Sequence, residues 1–178
     1  MKTNKLVLIA FGIALNIVGG FVAVQFKLPI YLDSIGTLFI ACLFGSKYGI
    51  ITGMLGSITS GILFDIYSLY FSPVQIATGF FGGYAYKKGL LRGKKQPLGV
   101  FLCAVPTALL SAIIASYLFG GVTSAGSSYI VQILRAMGFP DVASVFVIQV
   151  FTDYADKYLA VLFALSAIPI YKRISKVN

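Results

Sequence analysis

Between Lys5 and Lys27 the chain runs from Leu6 to Phe26 without a charged side chain. A helix of about 20 apolar residues matches the hydrocarbon thickness of a bilayer. In lipid, a helix also satisfies its own backbone donors and acceptors. The rest of the sequence agrees with that constraint: of 178 residues, 58% are hydrophobic and only 11% are charged, outside the usual range for a soluble domain. A chain of this length supplies about six spans with short loops. The expectation is an all-α integral membrane protein, a single six-transmembrane-helix bundle over residues 1–178. Lys2 and Lys5 precede a run too long for a signal h-region and lacking a clear small-x-small cleavage site, so it reads as a retained first span.

The first span covers about Leu6 to Phe26, and "LPIYLDSIGT" at residues 28–37 then interrupts the apolar text with Pro29, Asp33, Ser34 and Thr37. Span 2, about Leu32 to Phe44, and span 3, Tyr48 to Phe64, are short. Gly49, Gly53, Gly56 and Gly61 punctuate the latter. Such segments are tolerated where they tilt, pack closely or line a cavity. Asp65 to Phe71 reads as a polar and aromatic loop, with Ser72 as N-cap and Pro73 in the first turn of span 4, about Pro73 to Tyr86. A hydrophilic turn, Lys87 to Pro97, leads to span 5, about Leu98 to Phe119, with a kink expected at Pro106. Gly120 to Ala143 is a long connection with a short surface helix near Ile130 to Met137. Span 6 runs from about Ser144 to Tyr171 into a basic tail.

The formal net charge is +9. Here the basic residues record orientation better than they record a nucleic-acid partner, because they sit in short loops and not in an exposed groove. With the amino terminus inside, Lys2, Lys5, Lys47, Lys87, Lys88, Arg92, Lys94, Lys95, Lys172, Arg173 and Lys176 share the cytoplasmic side. Only Lys27, Arg135 and Lys157 fall on or toward the other. Both termini are therefore expected in the cytoplasm. The same map places every acid, Asp33, Asp65, Asp141, Asp153 and Asp156, at the outer surface or the outer end of a span.

An ionised Asp at membrane depth is costly unless it is paired or faces water, so its presence in a span points to function. In "QVFTDYADKYL" the residues Gln149, Asp153 and Asp156 share one helical face. Lys157 follows Asp153 by four positions, in the order that favours an ion pair. One reading is mutual neutralisation at a wet helix end. The other is an outward-facing pocket that reserves hydrogen-bonding capacity for a ligand. Tyr31, Tyr67, Tyr70, Phe71, Tyr154 and Tyr158 cluster at the same depth. Singly each is an interfacial anchor, but aromatic walls with a few convergent polar groups suit a small heteroaromatic ligand. Ser34, Thr37, Gln75 and Thr152 could supply hydrogen bonds, although Ser and Thr in spans also bond their own helix. Ala10 and Ala14 in "IAFGIALN" are small residues four apart that let another helix approach closely, either within the bundle or from a separate protein, whereas the small residues of spans 3 and 4 suit internal packing.

Several chemistries are excluded or disfavoured. The chain has no histidine, which removes a Ser-His-Asp triad and the commonest metal ligand. Cys42 and Cys103 lie inside apolar runs and form no CxxC pair, so buried reduced thiols are expected, with no metal and no cofactor. There is no P-loop and no Gly-x-Ser-x-Gly elbow. An enzyme using Asp153 and Asp156 as an acid and base pair is the least favoured reading, given Lys157 beside them. Six spans without an energy source fit a binding subunit that borrows one.

Taken together, the size, the six expected spans, the basic inner side, Ala10 and Ala14 in the first span, and "LPIYLDSIGT" ahead of a Gly-rich third span resemble the substrate-binding S components of energy-coupling factor (ECF) vitamin transporters. The resemblance implies a multi-pass protein of the bacterial cytoplasmic membrane. It implies high-affinity capture of a vitamin or cofactor precursor in an outward pocket formed by spans 4 to 6 and outer loops, with Leu28 to Ser34 as lid. It also implies partnership with a transmembrane coupling protein and two ATPase subunits, with Ala10 and Ala14 on the contact face. Candidate ligand contacts are Tyr31, Asp33, Ser34, Thr37, Asp65, Tyr67, Tyr70, Gln75, Gln149, Asp153, Asp156 and Lys157. The cargo is left open between a cobalamin-type molecule and a hydroxylated or cationic heteroaromatic of pyridoxine, pyrimidine or nucleoside type. A membrane sensor that signals to a partner kinase is the alternative.

Overall fold

The computed structural model describes residues 2–174, without the side chains of Lys2, Thr3, Asp141 and Ile174. The placements expected for the Lys2, Asp141 and Lys176 charges lie outside the described residues. Every regular element described is helical: α1 Lys2–Gln25, α2 Ile35–Phe44, α3 Ser46–Leu63, α4 Ile66–Tyr70, α5 Ser72–Lys87, α6 Gln96–Phe119, α7 Ser127–Ala136 and α8 Asp141–Ile174, with one 3-10 turn at Gly93–Lys95. Two stretches, residues 4–25 and 93–119, are long and apolar enough to cross a membrane.

The end of α1 explains the interruption after it. Leu28 N–H bonds the Ala23 carbonyl at 2.9 Å and Lys27 N–H bonds that of Val24 at 3.2 Å, while Lys27 takes a left-handed φ of 50°. That is a Schellman stop, and Pro29 forbids resumption. Helix α2 begins at Ile35, three residues later than expected at Leu32, because Leu32 is itself left-handed at φ 53°. The expected loop after Asp65 contains the single turn α4. Helix α5 starts at Ser72, one residue before the expected Pro73, so Phe71 and not Ser72 holds the N-cap position; the Ser72 hydroxyl donates back to the Leu69 carbonyl at 2.7 Å and does not cap the helix. Helix α7 begins three residues before the expected Ile130. Helix α8 also begins three residues early, and at 34 residues it is about 50 Å long.

At the centre lies α2, which contacts α1, α3, α5 and α8. Its Leu38, Phe39, Ile40 and Cys42 are buried and join Val100, Val161 and Ala164 in the main core. Such a helix needs close neighbours, and glycine provides them. A Cβ on Gly36 would overlap the Gly12 carbonyl of α1, and one on Gly79 of α5 would overlap the backbone at Gly49 and Ile50 of α3. The small residues of α3 and α5 thus serve internal packing. Cys42 and Cys103 are buried free thiols.

The outer surface is apolar. Along α1, Leu6, Val7, Phe11, Val18 and Phe21 are exposed, as are Leu98, Phe101, Leu109 and Ile113 of α6. Ala10 and Ala14 lie on the same open side of α1.

Candidate functional site

On α8, Gln149, Asp156, Ala160, Ala164 and Ile168 are buried, so one helical stripe changes from polar to apolar partway along the rod. The apolar part joins the core. The polar part, with Asp153 and Lys157, walls a cavity of about 510 Å³ including its open mouth. Gln75 of α5 and Ser111 of α6 complete the wall, and Tyr31, Asp33 and Phe71 close over it.

The α1–α2 connection roofs this cavity because α8 binds it. Leu32 N–H donates to Asp156 Oδ1 at 2.8 Å, and the Ser34 hydroxyl donates to Asp156 Oδ2. The left-handed turn at Leu32 is what aims that N–H away from a helical ladder and at the carboxylate. A second set of bonds fixes the outer edge. Tyr31 donates to Thr123 Oγ1 at 3.3 Å, Gly126 N–H donates to the Leu28 carbonyl at 3.0 Å, and Ser124 donates to Asp65 Oδ2 at 3.0 Å. Burial pushes the Tyr31 hydroxyl up to about 12, so it remains a neutral donor.

Beneath the cavity runs a buried polar relay. Asn16 Oδ1 accepts from Gly36 N–H at 2.7 Å and Thr37 N–H at 3.2 Å, supplying the α2 amino terminus with acceptors that no cap provides. Asn16 Nδ2 donates to Thr37 Oγ1 at 2.8 Å, the Thr37 hydroxyl donates to Gln75 Oε1 at 2.9 Å, and Gln75 Nε2 donates to the Asp33 carbonyl at 3.3 Å. The side chains of Asn16, Thr37 and Gln75 thus link α1, α2 and α5 in turn, and Gln75 reaches the backbone of the roof.

Asp153 and Lys157 form the ion pair that their spacing anticipates, at 3.1 Å. They do so in the cavity wall, with Lys157 only 3% exposed. Asp33 lies on the connection, outside both flanking helices. Its carboxyl is pushed up to about 7, by burial first and the Asp156 carboxylate second, against the opposing pull of Lys157 and Gln75.

Of the twelve ligand contacts expected from the sequence, seven line the cavity: Tyr31, Asp33, Gln75, Gln149, Asp153, Asp156 and Lys157. The other five sit elsewhere. Ser34 and Thr37 are 1% and 0% exposed, and their hydroxyls are engaged by Asp156 and by the relay. Asp65 is buried and receives the hydroxyls of Ser68, at 2.9 Å, and Ser124. Tyr67 and Tyr70 pack edge-on against Phe119 at 4.8 and 5.3 Å between ring centroids, while Phe71 reaches the cavity.

Asn16, Ser111, Thr123 and Ser124 were not legible as parts of the site. Asn16 carried a signal, since a lone amide within an apolar span needs a partner. Ser111 carried none, because an intrahelical bond would have explained it equally well. No protein-family model, curated protein or solved structure matches this chain.

Proposed function

We propose that this chain is the cargo-binding S component of an ECF-type importer, a multi-pass protein of a bacterial cytoplasmic membrane. In this reading α1, α2, α3, α5, α6 and α8 are the six spans and both termini are cytoplasmic. The supporting observation is a roofed, carboxylate-bearing cavity at one end of a helical bundle whose basic residues gather at the other. Exposed apolar side chains along α1 and α6 suit a lipid surface better than water. Aromatic side chains beside a few convergent polar groups suit a compact heteroaromatic cargo, such as a vitamin or precursor of pyridoxine, pyrimidine or nucleoside type. Ala10 and Ala14, open on α1, would let a coupling helix approach closely, with two ATPase subunits supplying energy that the chain has no motif to harness.

Affinity purification from native membranes, with uptake measured in parallel, tests the reading. A transmembrane coupling protein and ATPases should co-purify, and Ala10→Trp should reduce uptake at least tenfold while cargo binding changes less than twofold. Recovery of a histidine kinase in place of ATPases would overturn it, whereas normal uptake by the variant would refute only the coupling face at Ala10 and Ala14.

A further inference from the structure

The cavity has an unbalanced charge. Its wall contains three carboxylates, Asp33, Asp153 and Asp156, and one cation, Lys157. Lys157 is committed to Asp153, and Asp156 accepts Leu32 N–H and the Ser34 hydroxyl. Among the described residues no cation lies within ion-pair distance of the Asp33 carboxylate. Asp33 is partly withdrawn from solvent in that wall, where a carboxylate without a counter-charge is costly, and here the missing charge has a place to sit. Among the described residues no group of three or more His, Cys, Asp or Glu side chains is placed to hold a metal ion.

Two further side chains face the same space. Gln149 is 8% exposed and Ser111 is 3% exposed. Among the described residues neither the Gln149 amide nor the Ser111 hydroxyl has a hydrogen-bond partner. A primary amide offers one donor and one acceptor side by side, and a hydroxyl offers both from one atom. That pairing matches the edge of an amino-substituted nitrogen heterocycle, as Gln and Asn match the edge of adenine. At the mouth, Tyr31 and Phe71 stand 6.4 Å apart between centroids at 33°, adding aromatic surface, which attracts a cation.

We propose that the cavity selects a small planar nitrogen heterocycle bearing a positive charge, with the charge set against Asp33 and the ring edge read by Gln149 and Ser111. This rests on the binding-subunit reading and narrows its cargo. The roof then has a chemical reason to close: Asp33 comes down with the same connection that Asp156 holds, so the counter-charge completes the wall only when the roof is shut. Neutral hydroxylated analogues of the same ring would leave Asp33 uncompensated, and anionic vitamins would be repelled.

The test uses the full chain in mild detergent and matched probes that differ only in charge: pyridoxamine against pyridoxine, and an aminomethyl-aminopyrimidine against its hydroxymethyl analogue. Titration calorimetry and thermal shift are read at pH 7.5. The aminomethyl member of at least one pair should bind about tenfold or more tightly than its partner, since a charge-assisted bond is worth that factor. Asp33→Asn, which keeps the side-chain volume, should reduce the difference to less than threefold. Gln149→Leu should weaken both members together. Equal or tighter binding of the hydroxymethyl members, or an unchanged difference in folded Asp33→Asn protein, would overturn the proposal. Mass spectrometry of the small molecule retained through purification provides an independent measurement. A retained cationic heterocycle supports the proposal, whereas a retained neutral or anionic molecule refutes it and leaves the importer reading standing. If no probe binds and nothing is retained, the charge selection is refuted, and the importer reading is then decided separately by co-purification of the ATPases.

Discussion

The two ends of this bundle handle charge in opposite ways. At the cavity end, Asp153, Asp156 and Lys157 are drawn inward and held by named bonds, with the Asp33 carboxyl beside them. At the other end, cations stay outside and rest on rings: Lys5 Nζ lies 3.4 Å from the Tyr48 ring centroid and 4.9 Å from that of Phe44, and the Arg92 guanidinium lies 4.3 Å from that of Tyr86. Lys47, Lys87, Lys94 and Lys95 are exposed. Exposed cations over aromatic faces contribute about 0.5–1 kcal/mol each and tolerate change. Buried polar groups lose the full desolvation cost when a partner goes. One end is therefore specified by geometry and the other mainly by composition.

Substitutions can break or sharpen that contrast. The largest expected effect comes from Asn16→Ala, which removes the acceptor for two α2 amides and the donor to Thr37; a loss of about 2–3 kcal/mol should appear in chemical denaturation. A loss below about 0.5 kcal/mol would mean that water or a shifted side chain replaces Asn16 and that the relay is dispensable.

A smaller effect is expected from pH acting on Asp33. Its folded carboxyl titrates near 7, above the usual value of about 4 for Asp. The native state thus holds this proton more tightly than the unfolded chain does. Its contribution to stability is complete below about pH 4 and is lost as pH rises through about 7. The groups facing it are Asp153, Asp156 and Lys157 on α8, Gln75 on α5 and Tyr31 on its own connection. In ligand-free protein the melting temperature should fall between pH 5 and 8, and Asp33→Asn should flatten that slope. An identical slope in the variant would assign the titration to another group.

The smallest effect belongs to Lys5→Ala at the basic end, where about 0.5–1 kcal/mol or less is expected and the pH dependence of the melting temperature should not move. If this change costs as much as Asn16→Ala, the distinction between the two ends fails.

Much of the helical layout is legible in the sequence, because long apolar runs and Gly or Pro stops are local signals. The stop at Lys27 to Pro29 and the start at Ser72-Pro73 need nothing beyond neighbouring residues. The one-turn α4 and the late start of α2 are not local: the latter depends on Asp156, 124 residues away from Leu32. The site divides in the same manner. Gln149, Asp153, Asp156 and Lys157 share a face by helical spacing, so their convergence can be read directly. Whether Ser34, Thr37, Tyr67 and Tyr70 turn toward the cavity depends on which partner reaches them first. Ser34 meets Asp156, Thr37 meets Asn16 and Gln75, and the two tyrosines meet Phe119. No spacing rule along one helix encodes those encounters.

Helix α8 joins both regions in one covalent rod, from the cavity wall at Gln149 through the packed alanines at 160 and 164 to Lys172 and Arg173. A beam that is gripped at its middle behaves as a lever. A sideways displacement of its carboxylate arm would be carried along one continuous helix toward the cationic arm, with Pro169 lying between the packed alanines and the cations.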